Sequence, residues 1–107
     1  MVEGSCLCGR VRFAIDGRLT PIQYCHAVRC RKATGGAFAA EVAAKASAFR
    51  WTSGEELVTV FEAPLLREPP PYRRAFCRVC GSPLPVHREG TGLVVFLAGV
   101  LDGEGDA

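Results

Sequence analysis

Apolar and polar residues alternate over short stretches of this chain, and no stretch carries three turns of an amphipathic helix. The clearest alternation covers residues 10–15 and ends at Asp16-Gly17, a dipeptide that favours a turn. It predicts a half-buried strand, and similar short segments predict further strands at residues 22–24, 38–42, 48–51, 57–61, 75–77 and 93–98. The pattern therefore predicts a mainly β fold.

The sequence also predicts one short helix and one long loop. The helix is expected at residues 28–34, because Gly35-Gly36 follows and stops it. The alanine-rich residues 39–48 fit either a helix or a strand. Residues 68–71 predict a surface loop between the two halves of the chain, since three consecutive prolines cannot sit in a central strand, and residues 103–107 are predicted to fray.

The length of 107 residues predicts a single domain, residues 1–107, with a small core. A composition of 49% hydrophobic and 22% charged residues is typical of globular proteins, and no apolar run approaches the roughly 18 residues that a membrane span needs. The first five residues have neither the basic nor the apolar region of a secretory signal, so a cytoplasmic location is expected.

Cysteines carry the most chemical information in the chain. In a reducing compartment, clustered cysteines favour metal binding over disulfides. Cys6-Leu7-Cys8-Gly9 and Cys77-Arg78-Val79-Cys80-Gly81 each offer two thiols followed by a glycine that permits a positive φ, and a first pair on a strand would point both sulfurs to one face. Two such pairs complete a tetrahedral site, so we predict one structural zinc ion held by Cys6, Cys8, Cys77 and Cys80. Buried free cysteines or a disulfide are the alternative.

The formal net charge of +2 does not favour nucleic acid as a partner. Four thiolates and one zinc ion would together add two negative charges, which cancels that excess. Few aromatic residues accompany the arginines, and stacking on aromatic side chains is how proteins commonly bind single strands. Binding of nucleic acid is therefore not expected.

The remaining two cysteines, Cys25 and Cys30, belong to a segment that resembles a known family. The similarity is carried by residues 4–13, 25–26, 30–35, 74–82 and 99–102, so it extends over nearly the whole chain. The chain is similar to the glutathione-dependent formaldehyde-activating enzyme family, which includes the centromere protein V domain. The resemblance implies small antiparallel sheets, a β-tent-like arrangement, around the structural zinc of the four cysteines predicted above.

The resemblance also implies a second metal site and an activity. The family carries a Cys-His-Cys-x-x-Cys cluster with a labile catalytic zinc, associated with carbon–sulfur lyase chemistry that adds glutathione reversibly to formaldehyde. Here the middle cysteine is replaced by Ala27, which leaves Cys25 and Cys30. His26 is a possible substitute ligand, although strand alternation would point it away from Cys25 and favours a hydrogen bond from His26 to the backbone.

Two functions are therefore expected from the sequence. In the first, Cys25 and Cys30 are catalytic, with or without a second zinc ion, and Arg31 and Lys32 bind the anionic glutathione of an aldehyde adduct. In the second, Ala27 marks a lost active site, and the chain is a non-catalytic binding module stabilised by zinc. The expected partner is a small-molecule adduct of a thiol and an aldehyde, and no membrane partner is expected.

Overall fold

The protein is described by a computed structural model over residues 1–63 and 72–103. Strands dominate these residues, together with one α-helix and short 3-10 turns. In chain order the elements are β1 (Val2–Ser5), β2 (Arg12–Ile15), β3 (Gln23–Cys25), α1 (Val28–Thr34), β4 (Ala39–Lys45), β5 (Phe49–Ser53), β6 (Val58–Glu62), β7 (Arg73–Cys77), β8 (Pro83–Leu84), β9 (Val86–Arg88) and β10 (Leu93–Leu97). The 3-10 turns are Ala46–Ala48, Glu55–Leu57 and Ala98–Val100.

The strands of the described residues form three small antiparallel sheets. Their strand orders are β1-β2-β5, β3-β4-β10-β9 and β6-β7-β8. In the middle sheet β4 pairs with β10 over five residues, with Val42 opposite Phe96 and Ala44 opposite Val94. The middle sheet has four strands and each of the other two has three, among the residues described.

The predicted mainly β fold is confirmed. Each of the seven predicted strand segments overlaps an observed strand, and the helix has the predicted bounds, Val28–Thr34. Gly35 ends it with φ 74°, a left-handed conformation that glycine adopts without strain. The ambiguous alanine-rich stretch is a strand as far as Lys45 and a 3-10 turn after it.

Some predictions fall outside the description. The expected loop at residues 68–71 and most of the fraying segment, residues 104–107, are not among the described residues. Within the described ranges, no helix is long and apolar enough to span a membrane.

Two clusters of buried side chains make up the core. The larger packs the first sheet against the second and contains Phe13, Ile15, Val42, Ala44, Val94, Phe96 and Val100. The smaller packs the first sheet against the third and contains Cys6, Val11, Ala75, Cys77 and Leu84. Trp51 contacts both clusters and so links the three sheets. Two of the predicted metal ligands are therefore part of the core.

Gly54 holds the β5–β6 connection against the chain segment that carries the first cysteine pair. Its φ is +73°, and a Cβ there would collide with the carbonyl oxygen of Arg10. We expect Gly54→Ala to lower the free energy of unfolding by about 2 to 4 kcal/mol, through left-handed strain plus overpacking. Gly90→Ala is the matched control, because Gly90 has φ +79° and a Cβ there meets no described atom within 4 Å. If urea denaturation gives the two variants equal losses in the free energy of unfolding, the close contact with Arg10 does not add to the cost of Gly54→Ala.

Candidate functional site

The first cysteine cluster forms where two turns meet. Cys6 and Cys8 lie just after β1, and Cys77 and Cys80 lie at the end of β7 and in the turn after it. The four sulfur atoms all lie within 4.8 Å of one another. The structure thus brings together the four residues that the sequence selected as zinc ligands.

Both pairs sit in tight glycine-closed turns. Gly9 donates its N–H to the Cys6 carbonyl at 3.0 Å, and Gly81 donates to the Cys77 carbonyl at 2.8 Å. Both glycines have a positive φ, 80° for Gly9 and 78° for Gly81, as the sequence predicted. The first pair does not lie on a strand, because β1 ends at Ser5 and this turn begins directly after it, so the turn rather than strand alternation aims the two sulfurs.

The spacing of the sulfurs fits a metal ion better than a disulfide. Sγ of Cys8 lies 3.5 Å from Sγ of Cys6 and 3.9 Å from Sγ of Cys77. A disulfide requires about 2.05 Å, whereas a tetrahedron with zinc–sulfur bonds of about 2.3 Å has edges of roughly 3.8 Å. All six cysteines are free thiols in the structure. The donor set therefore fits zinc.

The electrostatics of this cluster favour thiolates on its outer side. A hydrogen bond from the Arg10 backbone is the main cause that lowers the pKa of Cys8. Burial opposes ionisation of Cys80, but hydrogen bonds from the backbone at Ser82 and Cys8 lower its pKa to about 6. Burial raises the pKa of Cys77, which lies in the core. A cation at the centre would stabilise all the thiolates together.

The second cluster joins two strands of the middle sheet and the helix. Cys25 ends β3, Cys30 is the buried residue of α1, and Glu41 lies in β4. The two sulfurs and a carboxylate oxygen of Glu41 lie within 4.8 Å of one another. The Sγ of Cys30 donates to Oε2 of Glu41 at 3.7 Å, which is a long contact even for sulfur.

Sheet register explains why Glu41 faces the cysteines. Cys25 pairs with Ala39, and Glu41 lies two residues further along β4. Side chains two residues apart in a strand project from the same face, and directly paired residues share a face as well. Cys25 and Glu41 therefore project toward the same side, where α1 packs on β4.

The chemistry of Cys30 depends on this neighbourhood. Its side chain is only 2% exposed. Burial first, and then the adjacent Cys25 thiol and Glu41 carboxylate, raise the pKa of Cys30 to about 12. Without a cation beside it, Cys30 is therefore a neutral thiol at physiological pH.

An open cavity of about 430 Å³ has the second cluster in its wall. Its apolar lining includes Leu84, Val86 and Val95, and its charged lining consists of Arg29, Arg73, Arg74, Arg88, Glu41 and Glu89, with Glu41 also being part of the cluster. Among the described residues of the wall, the arginines outnumber the carboxylates by two, which favours an anionic small molecule.

The cationic side of the cavity is built around Tyr72. The guanidinium of Arg29 lies over the Tyr72 ring at 4.9 Å from its centroid. Arg73 forms salt bridges with Glu62 at 3.1 Å and Glu89 at 3.7 Å. The other three arginines of the wall form no salt bridge with any carboxylate in residues 1–63 or 72–103, so they can pair with a ligand.

Not every predicted site residue faces this cavity. Cys25 and Cys30 line it, whereas Arg31 and Lys32 lie exposed in the last turn of α1 and are not part of the wall. His26 lies outside the second cluster, with its ring 5.6 Å from that of Phe38, and no backbone hydrogen bond of its side chain occurs in the described part of the chain.

Sequence reasoning missed Glu41 and the arginines that line the cavity. Glu41 does carry a signal, since it is the one acidic residue among the alanines of residues 39–48. A charged residue inside an apolar strand is a candidate for a functional site, but its partners cannot be named without the sheet register. Arg74 and Arg88 are far from Cys25 and Cys30 in sequence and meet them only in the fold.

Comparisons with known proteins identify a family and relatives that this chain resembles. The family model described as glutathione-dependent formaldehyde-activating enzyme matches residues 1–107. A curated Halomonas elongata protein, whose name places it provisionally among these enzymes, is 34% identical over 86 residues. That alignment covers 78% of this chain and 54% of the relative, so the chain spans about half the relative's length.

A solved structure supports the fold alone. The crystal structure of a Rhodobacter sphaeroides protein superimposes with a TM-score of 0.68 at 23% identity. The superposition covers 94% of this chain and 88% of the other. The arrangement of three small sheets is therefore shared with an experimentally determined structure.

Proposed function

Because the chain belongs to the glutathione-dependent formaldehyde-activating enzyme family, we propose that it makes and breaks the carbon–sulfur bond between a small anionic thiol and an aldehyde. Glutathione and formaldehyde are the proposed pair, and Cys25 and Cys30 the proposed catalytic residues. The observation that carries the proposal is the cavity, in which a two-cysteine cluster faces an excess of arginine.

The first cluster has a structural role in this proposal. Cys6, Cys8, Cys77 and Cys80 would hold one zinc ion with four sulfur ligands, which leaves no position for water or substrate. Two of the four are core residues, so the ion would join the first sheet to the third. The chemistry is therefore assigned to the second cluster.

The reaction itself needs little from the protein beyond position and charge. The thiolate sulfur attacks the carbonyl carbon, a C–S bond forms, and the π electron pair of C=O moves to the oxygen, which takes up one proton. The reverse reaction breaks the C–S bond and returns the proton. A metal bound by Cys25 and Cys30 would supply a Lewis acid that favours thiolate and alkoxide charge.

The residues around the cavity hold and orient the substrate. Glutathione carries two carboxylates, and Arg29, Arg74 and Arg88 are placed to pair with such groups. Burial raises the pKa of Tyr72, so its hydroxyl stays protonated at neutral pH and can donate a hydrogen bond to the substrate oxygen. The apolar wall limits water near the reacting sulfur.

Arg74 is the arginine whose removal should weaken substrate binding most clearly. It is half-buried in the cavity wall, so a carboxylate paired with it would be shielded from solvent. We expect Arg74→Gln to raise the KM for glutathione about tenfold, with kcat little changed, because a hydrogen bond to a charged group contributes about 1.5 to 3 kcal/mol.

Two further glutamine variants make that prediction specific. Arg31→Gln removes the charge that the sequence alone selected, and its effect on KM should be smaller because Arg31 is outside the cavity wall. Arg18→Gln is the control for a lost exposed arginine, since Arg18 does not line the cavity. A larger KM change for Arg31→Gln than for Arg74→Gln would show that the substrate carboxylates bind at the end of α1 rather than in the cavity wall.

Turnover is tested by NMR exchange spectroscopy on ¹³C-labelled formaldehyde mixed with glutathione and the zinc-loaded protein. We expect the exchange between free and thiol-bound formaldehyde to accelerate and to saturate with glutathione. With 2-mercaptoethanol, which has no carboxylates, the acceleration should be weaker. Exchange that stays at the protein-free rate with both thiols contradicts the proposal.

A second function is favoured by one residue. Ala27 precedes α1 and has no donor atom where the family pattern places a cysteine. If a glutathione analogue binds in the cavity while exchange stays at the protein-free rate, the chain is a binding module stabilised by zinc rather than an enzyme.

A further inference from the structure

We infer that Glu41 is the third ligand of a second divalent metal site, together with Cys25 and Cys30, and that its carboxylate replaces the sulfur missing at Ala27. This goes beyond the proposed function, because the metal content of the site is measured without thiol or aldehyde. The sequence offered His26 as the substitute ligand, and the fold offers a different residue.

Three potential metal-donor atoms converge in the second cluster. One carboxylate oxygen of Glu41 and the sulfurs of Cys25 and Cys30 lie within 4.8 Å of one another. The three residues come from a strand end, a helix and a neighbouring strand. Donor atoms from three separate elements that meet at one point are what a metal ion requires.

The Glu41 carboxylate has no paired counter-charge in residues 1–63 and 72–103. Among the described residues it forms no salt bridge, and its side chain has one hydrogen bond, the long contact with the Cys30 thiol. A half-buried carboxylate whose one contact is a long hydrogen bond from a thiol is poorly compensated for its loss of solvent, and a cation held between it and the sulfurs would supply that compensation. The arginines of the cavity do not supply that cation directly, since none pairs with Glu41 in the described chain.

His26, the substitute ligand considered from the sequence, lies outside the cluster. The ring of His26 packs on Phe38 and is not a member of the cluster. Ala27 has φ −60° and ψ 153° and begins α1 without a side-chain cap. Glu41 is therefore the residue that completes a set of three.

The ligand set predicts the kind of site. Three protein ligands facing an open cavity leave a position for a further ligand, in contrast to the closed four-sulfur cluster. Two thiolates and a carboxylate suit zinc and cobalt, which accept mixed sulfur and oxygen donors. Loss of the oxygen donor would leave only two protein ligands and a weak site.

The test is metal stoichiometry by native mass spectrometry and elemental analysis of the full chain, after equilibration with zinc ions alone. The wild-type chain should hold two zinc ions and Glu41→Gln one. Loss of a residue that only hydrogen-bonds to a metal ligand lowers metal affinity about 10- to 100-fold, so loss of a ligand itself should lower the affinity of the second site by at least about 100-fold. Glu89→Gln is the matched control: Glu89 lines the same cavity but is not in the cluster, so this variant should keep two.

A second measurement removes ambiguity about folding. Cobalt replaces zinc, and its absorption reports thiolate ligation directly at each site as ions are added. In Glu41→Gln we expect the first cobalt spectrum unchanged and the second lost or weakened, with the far-UV circular dichroism of the wild type. Two zinc ions held with wild-type affinity by Glu41→Gln, or a single zinc ion in the wild-type chain, overturns the inference. Neither result depends on turnover, so failure here and failure of the proposed function are distinguished.

Discussion

Cys77→Ser should leave the protein largely unfolded at room temperature. Cys77 is fully buried, packs in the smaller core cluster with Cys6, Val11 and Leu84, and supplies one of the four converging sulfurs. Structural zinc binding contributes apparent free energies of about 10 to 16 kcal/mol, as large as the 5 to roughly 15 kcal/mol that stabilises a whole domain. Circular dichroism melts and zinc content measure the loss together.

The same substitution in the other cluster is the control for this variant. Cys25→Ser changes a half-buried cysteine that is not in either core cluster, so its melt should resemble that of the wild type. Chelation of the wild type should reproduce the unfolding of Cys77→Ser. If Cys77→Ser melts cooperatively near the wild-type temperature without bound zinc, the first cluster does not hold the sheets together.

Cys25→Ser should reduce the formaldehyde–glutathione exchange rate to the protein-free level while the chain stays folded. Cys25 offers a sulfur on the cavity side of the second cluster. Cys30 is buried, and burial raises its pKa to about 12, so in the absence of a cation it keeps its proton at neutral pH. A serine hydroxyl is a poor ligand and a weak nucleophile at neutral pH. The expected effect is therefore loss of all acceleration, measured by the same exchange spectroscopy.

A neighbour on the same strand controls for local damage. Gln23→Ala changes an exposed residue of β3 two positions before Cys25, and it is not part of the cavity wall. It should keep most of the exchange rate. Wild-type rates in both Cys25→Ser and Cys30→Ser would eliminate the cysteine pair as the catalytic group.

The strands that the sequence predicted are those with a clear alternating or apolar run. β2 and β10 carry the buried Phe13, Val94 and Phe96, and burial of one face imposes the two-residue period. β1, β8 and β9 were not predicted. β8 and β9 have only two and three residues and form by pairing with the longer β7 and β10, and β1, with the sequence Val-Glu-Gly-Ser, has no apolar run of its own. Such strands depend on tertiary contacts rather than on local pattern.

The candidate site divides in the same way. The four sulfurs of the first cluster could be grouped from spacing alone, because each pair sits in a local turn. Glu41 could not be assigned, since its place beside Cys25 depends on the register of β3 on β4. Arg31 and Lys32 were predicted to bind substrate because they directly follow Cys30 in the sequence. The helix turns about 100° per residue, and it presents Arg29 and Thr34 to the cavity together with Cys30 instead.

The most direct test of the account is where a non-reactive glutathione analogue binds. ¹⁵N-labelled, zinc-loaded protein is titrated with S-methylglutathione, and amide shifts are followed residue by residue. We expect saturable shifts around Cys25, Cys30, Glu41 and Arg74, and unchanged amides around Cys6 and Cys80. No saturable shifts, or shifts centred on the first cluster, would contradict the placement of substrate in this cavity.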